Sequence, residues 1–165
     1  MTTTLDLLQR LCDSGFQMVI VGGVAGAAHG SSFTTTDLDV SAPLDSDNIA
    51  RLLGALAGLN PRWRMHPALP PIPLDPAGYA GFKNLYIRTT LGDLDVLGEI
   101  AGIGTAAVVE ANSEWRDFAG IRCRVITLDA LIRAKRALGR PKDLAVATEL
   151  EAIRGRRLTS RGEDS

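Results

Sequence analysis

Apolar and polar residues along this chain follow spacings that change several times between those of helices and those of strands. Leu5, Leu8 and Leu11 recur every three residues, which predicts an amphipathic helix that ends at Gly15. Residues 16–21 form a short, mostly apolar run bounded by glycines, and such a run is typical of a buried strand. The N-terminal part is therefore expected to combine one helix with one internal strand.

The next segments continue this alternation as far as a proline-rich stretch. Residues 24–28 are rich in alanine and predict a brief helix, and residues 34–40 predict a second strand, because apolar and acidic side chains alternate at its end. Residues 45–59 have leucines and an isoleucine at helical spacing, which predicts an amphipathic helix. Residues 60–81 hold six of the eight prolines and show little periodicity, so we expect a long surface loop there.

The second half of the chain predicts a hairpin and then mostly helices. Residues 85–90 and 94–97 have the alternation of strands and flank Gly92, a turn residue. Further along, the pattern predicts a helix over residues 105–112, a strand over residues 122–126, and helices over residues 128–138 and 142–154. We expect a single α/β (α+β) domain over residues 1–155, followed by a flexible tail over residues 156–165.

Composition narrows the class of protein without identifying it. The 165 residues are 45% hydrophobic and 22% charged, which is ordinary for one globular domain. The formal net charge of −1 does not by itself predict a polyanionic partner, although lysines and arginines concentrate between Leu131 and Arg161. Cys12 and Cys123 form no CxxC motif, which argues against a zinc site and fits a reducing compartment. Without a signal-like or membrane-length apolar stretch, we expect a cytoplasmic protein with no membrane contact.

The candidate chemistry lies in two acidic pairs on predicted strands. Asp37 and Asp39 are two residues apart, so both point to one face of the strand while their apolar neighbours anchor it. Asp93 and Asp95 repeat this spacing, and Asp95 would complete a cluster of three carboxylates if the two strands were neighbours. Such a cluster suits the divalent ions of phosphoryl transfer. Taken alone, an Asp-x-Asp pair is more often a solvated strand face, so only the combination predicts a metal site.

A glycine pair follows the first predicted strand. Gly22 and Gly23 carry no Cβ, so backbone N–H groups at the start of the next helix can approach a phosphate closely. The alternative is a tight strand-to-helix turn without a ligand. A GxGxxG motif is absent here, so a dinucleotide site of the Rossmann type is not supported.

The order of these motifs resembles a known family. Gly22-Gly23, a short helix, His29-Gly30 and Asp37-Leu38-Asp39 are followed by a Gly-x-Leu-Asp-x-Leu strand and a late Arg-x-Lys-Asp stretch. This series is similar to the minimal nucleotidyltransferases of the DNA polymerase β-like superfamily, which include the nucleotidyltransferase toxins of abortive-infection systems. The resemblance covers residues 19–150. It implies a mixed β-sheet flanked by helices, with further helices at the C-terminus, and by analogy a toxin-like role.

The resemblance also implies roles for individual residues. It implies three carboxylates that are both catalytic and metal ligands: Asp37, Asp39 and Asp95. It implies a second set that binds the phosphates of a nucleoside triphosphate: Gly22, Gly23, Lys135, Arg140 and Lys142. Many members have an arginine before the Asp-x-Asp strand, where this chain has Phe33, and Ser31 and Ser32 are the candidates to donate to phosphate there. For the basic residues, a solvated helix surface is the competing interpretation.

Three functions stay open at this point. The first is transfer of a nucleoside monophosphate from an NTP to a hydroxyl of RNA, a protein or a small molecule, with Mg²⁺ or Mn²⁺ as cofactor. The second is a catalytically weak or inactive module of the same fold that binds a nucleotide or a partner. The third is hydrolysis of a phosphoester with the same metals. The sequence does not choose an acceptor, and both a protein partner and a homo-oligomer stay open.

Overall fold

The computed structural model describes residues 2–163 and combines a seven-stranded mixed sheet with helices. The helices are α1 (Thr2–Asp13), α2 (Gly22–Ala28), α3 (Ser46–Leu56), α4 (Ala106–Ala111), α5 (Leu128–Leu138) and α6 (Pro141–Glu163). The strands are β1 (Val19–Val21), β2 (Leu38–Ser41), β3 (Arg62–Trp63), β4 (Asn84–Thr89), β5 (Gly92–Leu97), β6 (Glu99–Ile100), β7 (Gly104–Thr105), β8 (Ser113–Phe118) and β9 (Ile121–Ile126). The predicted mixed sheet with flanking and C-terminal helices is confirmed. Within residues 2–163, no helix has both the length and the apolar character needed to cross a membrane.

Strand order places β2 at the centre of the large sheet, in the sequence β3-β4-β5-β2-β1-β9-β8. β2 is antiparallel to β1 but parallel to β5, and β1 is parallel to β9. β4 and β5 form the predicted hairpin, and Gly92 at its turn has φ +123°, a conformation that favours glycine. The parallel pairing of β2 with β5 matters most for function, because it places two distant parts of the sequence side by side.

Alternation along β2 and β5 separates an apolar face of the sheet from an acidic one. The apolar side chains Leu38, Val40, Leu94 and Val96 are completely buried. Helix α1 packs against α3 and reaches β5. Because successive side chains of a strand point to opposite faces, Asp39 points away from this core. The alternation expected from the sequence is therefore confirmed for both strands.

Several boundaries differ from the expectation. Strand β2 begins at Leu38, so residues 34–37 are not part of it. The sequence pattern does not predict strand β8, because its residues Ser-Glu-Trp-Arg-Asp-Phe are mostly polar. Such residues form a strand here because β8 lies at the edge of the sheet, where only partial burial is needed. The proline-rich residues 60–81 contain β3, which pairs with β4, and a single 3₁₀ turn over Pro76–Tyr79.

The C-terminal helix is longer than the sequence predicts. The pattern ends a helix at Arg154, whereas α6 continues to Glu163, so residues 156–163 are helical; residues 164–165 lie outside the described residues. Arg157 fixes this extension, because its Nη2 donates to the backbone oxygen of His29 at 3.1 Å. Tertiary contacts therefore stabilise residues 156–163 as a helix, although their weakly amphipathic sequence does not predict one.

Helices α5 and α6 pack as a pair that carries basic residues of the C-terminal half. Thr127 caps α5, since its Oγ1 accepts an N–H of the first turn at 3.3 Å. Gly139 ends the helix in the left-handed conformation at φ +69°, and Pro141 begins α6. This tight turn places Lys135 of α5 beside Asp143 of α6.

Candidate active site

The register between β2 and β5 brings predicted metal ligands together. Asp39 and Asp95 are partners in this parallel pairing, so their side chains leave the sheet on the same face. Asp37 immediately precedes β2 and interacts electrostatically with both, and Asp93 does so with Asp95. We call Asp37, Asp39, Asp93 and Asp95 the carboxylate cluster. The predicted convergence of two distant acidic pairs is thus what the fold produces.

Burial and mutual repulsion make full ionisation of the carboxylate cluster unfavourable. The pKa of Asp39 is raised to about 7, first by burial and then by the negative charges of Asp95 and Asp37. Burial also raises the pKa of Asp95, although the hydrogen bond and charge of Arg64 oppose that rise. At neutral pH, a cation placed among these oxygens would relieve the repulsion.

An arginine lies inside the carboxylate cluster, and the sequence does not reveal it. Arg64 follows β3; its Nη2 donates to Asp95 Oδ1, and its Nε lies 3.6 Å from Asp93 Oδ2. Its guanidinium also lies over the ring of Tyr86, 5.6 Å from the centroid. Arg88 forms a second ion pair with Asp93, with 3.1 Å between Nε and Oδ1. No signal marks Arg64, because it lies in the aperiodic proline-rich segment, 31 residues before Asp95.

The glycine pair lies directly against the strand that carries Asp39. Gly22 has φ +63°, and a Cβ built on it would lie 3.0 Å from the Asp39 Cβ and closer still to its Oδ2. A Cβ on Gly23 would lie 2.7 Å from the Thr35 Cβ. Only glycine accommodates such an approach, so the pair allows α2 to begin beside the carboxylate cluster. Phosphate binding by the backbone here stays a prediction.

One of the predicted phosphate-binding cations is close to the carboxylate cluster. Lys135 is mostly buried, acts electrostatically on Asp39 and lies 3.6 Å from Asp143 Oδ1. Arg140 is paired with the same buried Asp143, with 2.5 Å between Nε and Oδ2, and this contact holds the pKa of Asp143 below its ordinary value. Lys142 is exposed in the first turn of α6. The fold therefore joins Lys135 and Arg140 through a shared carboxylate and leaves Lys142 in solvent.

The two predicted phosphate-binding serines already contact an anion. The Oγ atoms of Ser31 and Ser32 both donate to the carboxylate of Glu149, and the Ser32 N–H donates to Oε1 at 3.0 Å. These donors, the Ser31 hydroxyl first, lower the pKa of Glu149. Phe33, at the position of the family arginine, is 40% exposed. Phosphate binding by the serines stays a prediction, and it requires Glu149 to move.

The carboxylate cluster has the donor chemistry of a site for Mg²⁺ or Mn²⁺, which prefer carboxylate oxygens. Asp37 and Asp39 supply such oxygens, and the glycine at position 22 leaves room beside them. Within residues 2–163, however, no three or more His, Cys, Asp or Glu side chains are already arranged to hold a metal ion. Asp95 is instead bonded to Arg64. Arg64 therefore occupies one of the two oxygens of the carboxylate that the sequence predicts as the third metal ligand.

A cavity of about 410 Å³ lies apart from the carboxylate cluster, where β1 begins. Its lining includes Phe16, Ser41, Trp115 and Arg124, and it includes none of the four clustered carboxylates. The Ser41 Oγ is buried and has no hydrogen-bond partner among residues 2–163. The cavity lacks a concentration of like charge, so the carboxylate cluster is the stronger candidate for catalysis.

Comparison with known proteins supports the fold assignment. No protein-family model and no curated protein matches the sequence. A "putative nucleotidyltransferase" of Thermotoga maritima, TM1012, matches with a TM-score of 0.55 at 12% identity, over 88% of this chain and 91% of that protein. The antibiotic-resistance factor ANT(2'')-Ia matches with a TM-score of 0.57 at 14% identity, over 98% of this chain and 92% of that protein. At such low identity the likeness establishes that this chain shares the fold of these two proteins.

Proposed function

We propose that this chain is a metal-dependent nucleotidyltransferase, which transfers a nucleoside monophosphate from an NTP to a hydroxyl group. The proposal is carried by the register that pairs Asp39 with Asp95, with Asp37 adjoining them at the start of β2. The nucleotidyltransferase fold supports the same reaction class. Mutually repelling carboxylates lower the stability of a fold when no cation is bound, so their convergence favours a functional explanation.

In this proposal Asp37 and Asp39 hold the divalent ion. Mg²⁺ or Mn²⁺, when bound, neutralises charge on the phosphates and promotes ionisation of the attacking hydroxyl. Gly22 and Gly23 allow the start of α2 to approach the triphosphate. Asp95, through the carboxylate oxygen to which Arg64 is not bonded, accepts the proton of the attacking hydroxyl. The hydroxyl oxygen then bonds to the α-phosphorus as the bond to the leaving pyrophosphate breaks.

Lys135 is the best placed of the predicted cations to neutralise the leaving pyrophosphate. It is mostly buried and within electrostatic range of Asp39, whereas Lys142 is exposed. Arg140 supports it indirectly, because both contact Asp143. Ser31 and Ser32 can add hydrogen bonds to phosphate only after they release Glu149.

Two observations favour a second function. In the described structure Asp95 is bonded to Arg64, and an exposed phenylalanine occupies position 33. A protein with these features and no catalysis would bind the NTP through Asp37, Asp39 and a metal ion without transferring it. The alternative is therefore a nucleotide-binding module of the same fold.

Label transfer distinguishes the two functions. Wild-type protein is incubated with each α-labelled NTP, Mg²⁺ or Mn²⁺, and total RNA or cell extract. We expect label to be incorporated by wild type and to fall by about 10³-fold in Asp39→Ala, since a lost metal ligand removes several kcal/mol of transition-state stabilisation. The matched control is Asp117→Ala, which removes an exposed carboxylate that is paired with Arg122.

Thermal shifts decide the remaining outcomes. Stabilisation by NTP and Mg²⁺ without label transfer would establish the binding module in place of the enzyme. Equal transfer by Asp39→Ala and wild type would remove the carboxylate cluster from the reaction. If neither ligand changes the melting temperature and no label moves, both functions are rejected.

A further inference from the structure

Arg64 is held in place by its surroundings as well as by its ion pairs. Its backbone N–H donates to the backbone carbonyl oxygen of Tyr86 at 3.0 Å, which extends the pairing of β3 with β4. The preceding Trp63 stacks on Phe82, with 5.3 Å between ring centroids. The Tyr86 ring then supports the guanidinium from one face. The arginine is therefore a fixed part of the carboxylate cluster and not a mobile surface cation.

The contacts of Arg64 are electrostatically strong but incomplete as hydrogen bonds. Asp95 receives one Nη2 hydrogen bond, whereas the buried Nε has no hydrogen-bond partner among residues 2–163 and interacts with Asp93 only as an ion pair at 3.6 Å. Arginine and carboxylate side chains frequently pair through two parallel hydrogen bonds, and Arg64 makes only one to Asp95. The arrangement resembles a point charge among acidic groups, which is also the role of a bound metal ion.

Charge balance limits how many cations the carboxylate cluster accepts. Four carboxylates face three basic side chains, Arg64, Arg88 and Lys135. One divalent ion more than neutralises the remaining negative charge. A second ion at Asp95 would lie beside the Arg64 guanidinium, where like charges repel and where Oδ1 of the carboxylate is already hydrogen-bonded.

We propose that Arg64 is a built-in cation that takes the place of a second divalent ion at Asp95. Asp37 and Asp39 then bind a single ion, and a second ion binds only when Arg64 is removed. This inference rests on the proposed function, because it assumes that the carboxylate cluster binds divalent ions. It adds that the chain itself, through the segment before β4, sets the number of metal ions.

Counting bound Mn²⁺ ions tests this directly. Mn²⁺ is added to wild type, Arg64→Gln and the matched control Arg62→Gln, and electron paramagnetic resonance measures the Mn²⁺ that stays free. Within residues 2–163 the side chain of Arg62 makes one hydrogen bond, from its Nε to Asn60, and no contact with the carboxylate cluster. We expect one ion per chain for wild type and Arg62→Gln, and two for Arg64→Gln. Arg64→Lys keeps the positive charge and is expected to bind one ion. Circular dichroism confirms that each variant is folded.

An unchanged number of ions in folded Arg64→Gln overturns the inference, as does a wild type that already binds two. If Arg64→Gln does not fold, Arg64→Met replaces it, because its unbranched side chain packs on the Tyr86 ring without carrying a charge; an unchanged number of bound ions then has the same meaning. Label transfer is measured on the same samples. If Arg64→Gln binds a second ion but wild type transfers no label, the proposed function is rejected and the role of Arg64 stands. If wild type transfers label but Arg64→Gln binds no second ion, the role of Arg64 is rejected and the proposed function stands.

Discussion

The carboxylate cluster differs from the junction between α2 and α6 in whether its polar and charged groups find partners within the protein. The junction consists of His29, Ser31, Ser32, Glu149 and Arg157. His29 is 2% exposed, its Nε2 donates to the Ile126 oxygen at 2.8 Å, and its Nδ1 accepts from Arg157 at 3.3 Å. Glu149 in turn accepts from both serine hydroxyls. The junction therefore satisfies its donors and acceptors within the protein.

The carboxylate cluster does not satisfy its charged groups in this way. Its acidic groups repel one another, the pKa of Asp39 is raised to about 7, and the Nε of Arg64 makes no hydrogen bond within residues 2–163. The same fold thus builds a self-contained network at one place and leaves unneutralised charge at another. A self-contained network stabilises the fold, whereas unneutralised charge near the surface favours binding of a ligand.

The largest expected effect comes from filling the space beside Asp39. Gly22→Ala is expected to lower the free energy of unfolding by about 2–4 kcal/mol, because its φ of +63° is strained for alanine and its Cβ meets the Asp39 carboxylate. Chemical denaturation measures the loss, and Mn²⁺ binding should weaken with it. The matched control is Gly26→Ala in the same helix, where the new Cβ would lie 3.5 Å from the Ser31 Cβ. An equal cost for both variants would contradict the special role of Gly22.

A smaller effect is expected at the junction, and it should depend on pH. His29→Gln is expected to cost about 1–2 kcal/mol of stability at neutral pH through its altered hydrogen bonds, with Mn²⁺ binding unchanged. Burial, the main cause, lowers the pKa of His29 below 6.5. The unfolded chain therefore binds a proton that the folded chain excludes, so the wild-type stabilisation is complete above about pH 6.5 and declines as pH falls towards the folded pKa.

Urea denaturation at about pH 7.5 and about pH 5 measures this difference, since the unperturbed imidazole of the unfolded chain titrates between them. Wild type should lose more stability over that interval than His29→Gln, because glutamine does not titrate. Parallel losses in the two proteins would show that His29 does not cause the pH dependence. A change in Mn²⁺ binding would show that the junction and the carboxylate cluster are not independent.

The smallest expected effect is on nucleotide affinity. If Ser31 and Ser32 bind phosphate, Glu149 competes with the ligand for their hydroxyls. Glu149→Ala is then expected to tighten binding of a non-hydrolysable NTP by about two- to fivefold, the size of one exposed electrostatic contact. Glu151→Ala, which removes an ion pair with Arg136 two residues further along α6, serves as the control. Weaker binding by Glu149→Ala would assign the serines to the junction alone.

Several parts of the site follow from local sequence. Alternation places the side chains of Asp39 and Asp95 on one face of the sheet, and the spacing of two residues marks Asp37 as the neighbour of Asp39, immediately before β2. The hairpin around Gly92 follows from its turn residue. These features depend on neighbours within a few positions, so the periodicity of the chain is enough to predict them.

Other parts depend on contacts between distant segments. Arg64 meets Asp95 only because a two-residue edge strand pairs with β4, and no periodicity marks a strand that short. Glu149 reaches Ser31 across 118 positions of sequence because α6 packs behind the loop after α2. The sequence identified the serines as donors but gave no indication of the carboxylate that occupies them.

The sequence by itself determined the types of element, the two acidic pairs and the glycines that adjoin them, since local spacing governs backbone conformation and side-chain direction. The tertiary structure alone decided the charge balance of the site. Electrostatic energy depends on distances through space, and these are set by strand register and helix packing. The register placed Asp95 beside Asp39, and the pairing of the edge strand β3 placed Arg64 within hydrogen-bonding distance of Asp95.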